Sequence, residues 1–161
     1  MKTLNQIFTL LILVLLGCSR EVLQPGITLD ASSDCKSVLK SGMGISGDQD
    51  CIQYSFQDNR LVIKHINAGF NCCPEGFKVS LAVKGDTLII TEEENSSLCD
   101  CNCLFDLDYT LTDIDKDSWW IRVVEPYVQG QGQDLILFEA NLRKDTSGLV
   151  CFERTTYPWR F

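Results

Sequence analysis

Cysteine supplies most of the chemistry in this chain, with nine among 161 residues. Five of them fall in two tight groups, Cys72-Cys73 and Cys99-Asp100-Cys101-Asn102-Cys103, while Cys18, Cys35, Cys51 and Cys151 are scattered. Thiols gathered in this way can do three things. They can pair into disulfides in an oxidising compartment, bind a soft metal as thiolates, or exchange disulfides if one thiolate is exposed and activated. The only histidine, His65, lies seven residues before the first pair and is the natural nitrogen partner for a metal.

Chain geometry restricts the pairings. Adjacent residues have Cα atoms ~3.8 Å apart, too close for an unstrained bridge, so Cys72 and Cys73 should not bond each other. Residues two apart in a strand are ~6.6–6.8 Å apart, at the outer limit, so bonds within the second group are disfavoured too. The expectation is therefore that Cys72 and Cys73 pair with members of the 99–103 group. Cys35, Cys51 and Cys151 then staple the edges, with Cys35–Cys51 closing a loop of about 15 residues worth roughly 3 kcal/mol in the entropic model.

The competing expectation is zinc or copper(I) held by Cys72, Cys73, Cys99, Cys101, Cys103 and His65. The spacing is not the paired C-x-x-C of zinc ribbons, and oxidation would compete for the thiols. A disulfide scaffold with no cofactor is the primary reading. His65 continues the Leu61-Ile63 face, so it is expected in the core, hydrogen-bonded to backbone.

The leader fixes the compartment. One lysine, Lys2, precedes an apolar run from Ile7 to Leu16, the layout of a secretory signal peptide. That run is too short for a spanning helix, which needs ~20 residues. Its end, Leu15-Leu16-Gly17-Cys18, resembles the lipobox of bacterial lipoproteins. The resemblance implies cleavage after residue 17, lipidation of Cys18 and durable anchoring by several acyl chains. Ser19 in the following position resembles an outer-membrane sorting signal, which implies a cell-envelope location on the periplasmic or surface side. The expected layout is a signal peptide over 1–17, a lipidated tether over 18–33 and one domain over 34–161.

Cleavage leaves eight cysteines, an even number that suits a disulfide framework. The formal net charge is −8, and loss of Lys2 makes it one unit more negative. An acidic surface argues against nucleic acid, which selects basic ones. The partners expected are the membrane, through Cys18, and a protein or glycan.

The elements that must position the cysteines read as strands. Ile52-Tyr54-Phe56, Phe77-Val79-Leu81-Val83 and Phe105-Leu107-Tyr109-Leu111 alternate with polar residues, the period of a half-buried strand. Leu61 to Ile63, Thr87 to Thr91, Trp119 to Val124, Leu135 to Leu142 and Leu149 to Thr155 complete the set. Turns fall at Asp58-Asn59, Gly85-Asp86 and Asp113 to Ser118. No helical period persists. The pattern predicts an all-β chain, an antiparallel two-sheet sandwich of immunoglobulin-like or jelly-roll-like type stapled by cysteines, with a small barrel as the alternative. If the 105–111 strand runs back through the second group, Cys99, Cys101 and Cys103 all face inward.

Two segments together, His65-x-Asn67-x-x-Phe70-Asn71-Cys72-Cys73 and Cys99-x-Cys101-x-Cys103, are similar to segments of cysteine-rich lipoproteins of Bacteroidota-type bacteria. A closing Tyr157-Pro158-Trp159 adds to the likeness. It implies a fold and a location but no activity.

Other signals are weaker. Gly42 to Gly47 fits G-x-G-x-x-G but lacks the strand and helix of a dinucleotide site. Asp113 to Asp117 opens like a calcium loop without its later glycine and glutamate. Glu92 to Glu94 reads as a solvated strand end. Trp119 and Trp120 must face opposite sides of a strand, and the exposed one could stack on a sugar or meet a protein. No serine-hydrolase, metalloprotease or C-x-x-C motif is present, so the expectation is a binding or structural module, with metal binding or thiol exchange as the alternatives.

Overall fold

The structure, a computed structural model, describes residues 24–36, 44–96, 99–128 and 132–160. The leader and the lipidation site expected at Cys18 lie outside these residues. Nine strands are formed among the described residues: β1 (Gly26–Ser32), β2 (Gln49–Gln57), β3 (Arg60–Asn71), β4 (Phe77–Lys84), β5 (Thr87–Glu94), β6 (Asn102–Thr112), β7 (Ser118–Val124), β8 (Ile136–Asn141) and β9 (Ser147–Glu153). They build two sheets, β1-β6-β3-β2-β9 and β4-β5-β7-β8. The expected sandwich is what forms, and the sheets do not close into a barrel.

Local sequence explains the hairpins. Asp58 and Asn59 both take positive φ, 52° and 58°, as a tight two-residue turn with the twist of its strands requires. Gly85, at φ 61°, does the same between β4 and β5. Alternation then buries Ile52, Tyr54 and Phe56 of β2, Leu61 and Ile63 of β3, and Leu107, Tyr109 and Leu111 of β6 against Leu88, Ile90, Ile121 and Val123 of the other sheet.

Two features depart from the expected pattern. One neighbouring pair, β5 with β7, is parallel. The chain leaves β5, crosses to the other sheet as β6, and returns as β7. Residues 26–32, read as tether, instead form β1 and pair antiparallel with β6. That strand is mostly exposed, so it carries little of the apolar alternation by which buried strands are recognised.

Strand β3 carries a bulge. The register with β6 shifts between Ile66 and Ala68, and Asn67 there has φ 67°. The extra residue changes which positions face inward: Leu61, Ile63 and His65 before the bulge, Ala68 and Phe70 after it. From His65 to Asn71 every residue is buried. The outward side of this stretch is covered by the C-terminal segment, where Trp159 Nε1 donates to Asn67 O at 2.7 Å. A Cβ on Gly69 would stand 2.7 Å from the Trp159 ring, so the close approach needs glycine.

All eight cysteines from Cys35 on are paired, as Cys35–Cys103, Cys51–Cys151, Cys72–Cys101 and Cys73–Cys99. The expected pairing of Cys72 and Cys73 with the second group is realised. The expected Cys35–Cys51 bond is not. Cys51 stands directly opposite Cys151 in the β2–β9 ladder, and the backbone beyond β1 runs beside β6, where Lys36 bridges to Leu104 and brings Cys35 to Cys103. The inward row of three sulfurs also fails, because β6 begins only at Asn102. Cys103 is buried, Cys99 is half-buried and Cys101 is exposed. The Asn71 side chain holds that approach, donating through Nδ2 to Cys99 O at 2.5 Å.

Candidate functional site

Five ionisable side chains meet between the sheets at one end of the core, each continuing the inward alternation of its strand. Asp50 precedes Ile52 and Tyr54 on β2, and His65 follows Ile63 on β3. Glu92 follows Ile90 on β5. Glu125 extends the Ile121-Val123 face just beyond β7, where Pro126 favours an extended conformation for the residue before it. Arg154 extends the Val150-Phe152 face just beyond β9. Each has between 0% and 2% of its surface exposed.

Charge density of this kind is stable in a core only when its members pair. His65 Nδ1 lies 2.9 Å from both carboxylate oxygens of Glu92, and Nε2 lies 2.6 Å from Asp50 Oδ1. Arg154 donates through Nε (2.7 Å) and Nη2 (2.5 Å) to Asp50 Oδ2, and through Nη2 to Glu125 Oε2 at 2.8 Å. Its Nη1 donates to the Asp134 carbonyl, and its guanidinium lies 5.4 Å from the centre of the Trp159 ring. The Cys51–Cys151 bridge joins the strands that deliver Asp50 and Arg154.

One buried acceptor of the cluster is left over: Glu125 Oε1, 3.8 Å from His65 Nε2, has no hydrogen-bond partner among the described residues. Burial opposes a charge on His65, but the charges and hydrogen bonds of Glu92 and Asp50 outweigh it and hold the ring well above its ordinary 6.5. Glu125 is pushed well above the usual 4.5, first by burial and then by Asp50, against the pull of His65 and Arg154. Burial, then Glu92, raises Tyr109 well above 10.0.

Sequence reading placed His65 in the core, and there it lies, but with carboxylates rather than backbone as partners. It placed Tyr109 in the core correctly, missed Asp50, Glu125 and Arg154, and took Glu92 for a solvated residue. Parity was the available signal. Each of these side chains sits on the apolar phase of a strand, which is where a charged residue must have a buried partner.

The cysteine cluster offers different chemistry. One sulfur from each of Cys72, Cys73 and Cys99 lies within 4.8 Å of the others, but each is already bonded to another sulfur. Disulfide sulfurs are not thiolates, so in this state the cluster presents neither metal ligand nor nucleophile.

The tryptophans face opposite sides. Trp119 packs against the core and donates through Nε1 to Asp115 O at 3.1 Å, whereas Trp120 is 41% exposed. The Asp113 to Asp117 segment works as a turn: Asp113 has φ 59°, and Asp117 Oδ1 accepts from Ser118 N at 2.8 Å. A shallow cavity of about 400 Å³ lies on the outer face of the five-stranded sheet, lined by Gln53, Ser55, Val62, Lys64 and Leu149. Its one charge, Lys64, is engaged with Asp108 at 3.0 Å. The ionisable cluster is elsewhere, inside the sandwich.

Compared with models of protein families, with curated proteins and with solved structures, the chain matches none.

Proposed function

We propose that this chain is an exported, lipid-anchored module of the bacterial cell envelope, tethered through Cys18 and acting by binding or by structure rather than by catalysis. One observation carries the reading: every cysteine from Cys35 on has a disulfide partner within its own fold. Four bridges in one small domain are the signature of folding in an oxidising compartment. The lipobox-like end of the leader and the single cysteine left over, Cys18, fit the same account, as does the likeness to cysteine-rich envelope lipoproteins.

The non-catalytic part rests on the state of the reactive groups. His65 holds a carboxylate at each ring nitrogen, so it has no free nitrogen to serve a nucleophile. The paired sulfurs leave no thiolate for exchange. Trp120, exposed on the outer face of the four-stranded sheet, is the side chain we assign to contact with a glycan or protein partner.

Labelling cells with a radioactive fatty acid, with the chain produced with and without Cys18→Ser, tests the anchor. The reading expects label on the wild type, which fractionates with the membranes, and none on the variant. An unlabelled or soluble wild type, or a labelled variant, would refute it.

A further inference from the structure

We propose that Asp50, His65 and Glu125 form a buried site for one divalent transition-metal ion, zinc in the first instance. Asp50 Oδ1, His65 Nε2 and Glu125 Oε1 all lie within 4.8 Å of one another, so one ion can reach all three after small side-chain adjustments. An imidazole nitrogen with two carboxylate oxygens is a donor set that zinc accepts.

The surroundings are those of a metal ligand set. A metal-bound histidine generally donates its other ring N–H to a carboxylate, which fixes the tautomer and orients the ring. Glu92 occupies that place, with both oxygens 2.9 Å from Nδ1. Ligating carboxylates are in turn held by hydrogen bonds, and Arg154 binds Asp50 and Glu125 through Oδ2 and Oε2, the oxygens turned away from His65. The guanidinium thereby leaves Oδ1 and Oε1 to converge on Nε2.

A second observation comes from an atom left unsatisfied. Glu125 Oε1 is buried and aimed at Nε2 from 3.8 Å with no hydrogen-bond partner among the described residues, although an orphaned buried acceptor is costly. Formal charge points the same way. With the imidazole neutral and the carboxylates ionised, as metal ligation requires, the three carboxylates and one guanidinium carry two net negative formal charges, which a divalent cation cancels in place of protons.

This site is separate from the cysteine cluster, and the test distinguishes the two. The full-length exported chain, in detergent with its disulfides intact, is unfolded with chelator and refolded with cobalt(II) alone. The proposal expects d–d absorption that saturates at one cobalt per chain, shows no thiolate-to-cobalt charge transfer and is displaced by zinc. Glu125→Gln should abolish it, and Glu92→Gln should weaken cobalt binding by about 10–100-fold through loss of the histidine's orienting partner. Absence of d–d absorption in the wild type, equal uptake in Glu125→Gln, or a thiolate charge-transfer band would each overturn the proposal. If Glu125→Gln does not refold, the wild-type spectrum and the Glu92→Gln affinity decide.

Discussion

Glu92 and His65 join the two sheets across the gap between them: the histidine stands on the five-stranded sheet, the glutamate on the four-stranded one, and both carboxylate oxygens lie 2.9 Å from Nδ1. A sandwich core is normally apolar across this gap. Here the sheets are joined by an ion pair at one end and by Leu, Ile and Phe contacts over the rest. Hydrophobic contact is non-directional, whereas a hydrogen-bonded carboxylate and imidazole meet in one geometry, so the pair also fixes how the sheets are aligned.

Removing one member should be expensive. Arg154→Met deprives Asp50 and Glu125 of their shared guanidinium and leaves buried carboxylates uncompensated, a loss of about 3–5 kcal/mol by the usual cost of breaking a buried pair. Arg160, whose contacts with Asp48 and Glu153 are largely exposed, should cost under about 1 kcal/mol when changed to Ala. Urea denaturation of the two variants compares them, and similar losses would contradict the account.

Stability of the metal-free protein should fall as pH rises. His65 and Glu125 both have pKa values raised well above 6.5 and 4.5 in the folded state, so the folded chain holds protons that the unfolded chain releases. Their contribution is complete below those unfolded values. It declines above pH 4.5 for Glu125 and above 6.5 for His65, and is lost as pH passes each raised folded value. Denaturation midpoints measured with chelator between mildly acidic and alkaline pH should decrease steadily, and the slope should flatten in Glu125→Gln. A midpoint that climbs across this range would show that the pair is not protonated as the geometry requires.

Most of the fold was legible because most strands have one buried face. Period-two alternation located β2, β4 and β6, and turn residues such as Gly85 located the breaks. What alternation cannot supply is an exposed edge strand, hence β1 was missed, or the order of strands in a sheet, hence the parallel β5–β7 pair. The Cys35 and Cys51 partners were misread for a related reason. A short loop is entropically attractive, but Cys51 is fixed opposite Cys151 by a ladder that only the tertiary structure reveals. The ionisable cluster was overlooked because Asp50, Glu92, Glu125 and Arg154 are ordinary surface residues by type. Only their phase on the strands marks them as buried.

Gly69 and Trp159 should behave as a coupled pair. Gly69→Ala places a methyl group 2.7 Å from the indole, an overpacking expected to cost about 1–3 kcal/mol. Trp159→Ala should cost about 3–5 kcal/mol by opening a cavity. In the double variant the clash has no partner, so the combined loss should fall below the sum of the two. Thermal melts of the four proteins in the cycle test this, and strict additivity would argue that the segment does not pack over Gly69.

Breaking the bridge between β2 and β9 should destabilise without a change of fold. Cys51→Ser with Cys151→Ser opens a bridge spanning 100 residues, which the entropic model values at about 4.7 kcal/mol, within the 2–5 kcal/mol commonly seen for native bridges. The double variant avoids leaving an odd thiol to scramble the others. Circular dichroism should report unchanged strand content and a lower denaturation midpoint, while an unchanged midpoint would mean that the bridge is not formed.

The most direct test is a disulfide map of the protein recovered from an oxidising compartment, alkylated in denaturant without reductant and digested to peptides. The account requires no labelled thiol among the eight cysteines from Cys35 to Cys151. It also requires cross-linked peptides joining Cys35 to Cys103, Cys51 to Cys151, Cys72 to Cys101 and Cys73 to Cys99. Three or more labelled thiols in the two clusters, or a Cys35–Cys51 peptide, would contradict the stapled sandwich and return the cysteines to consideration as a chemical site.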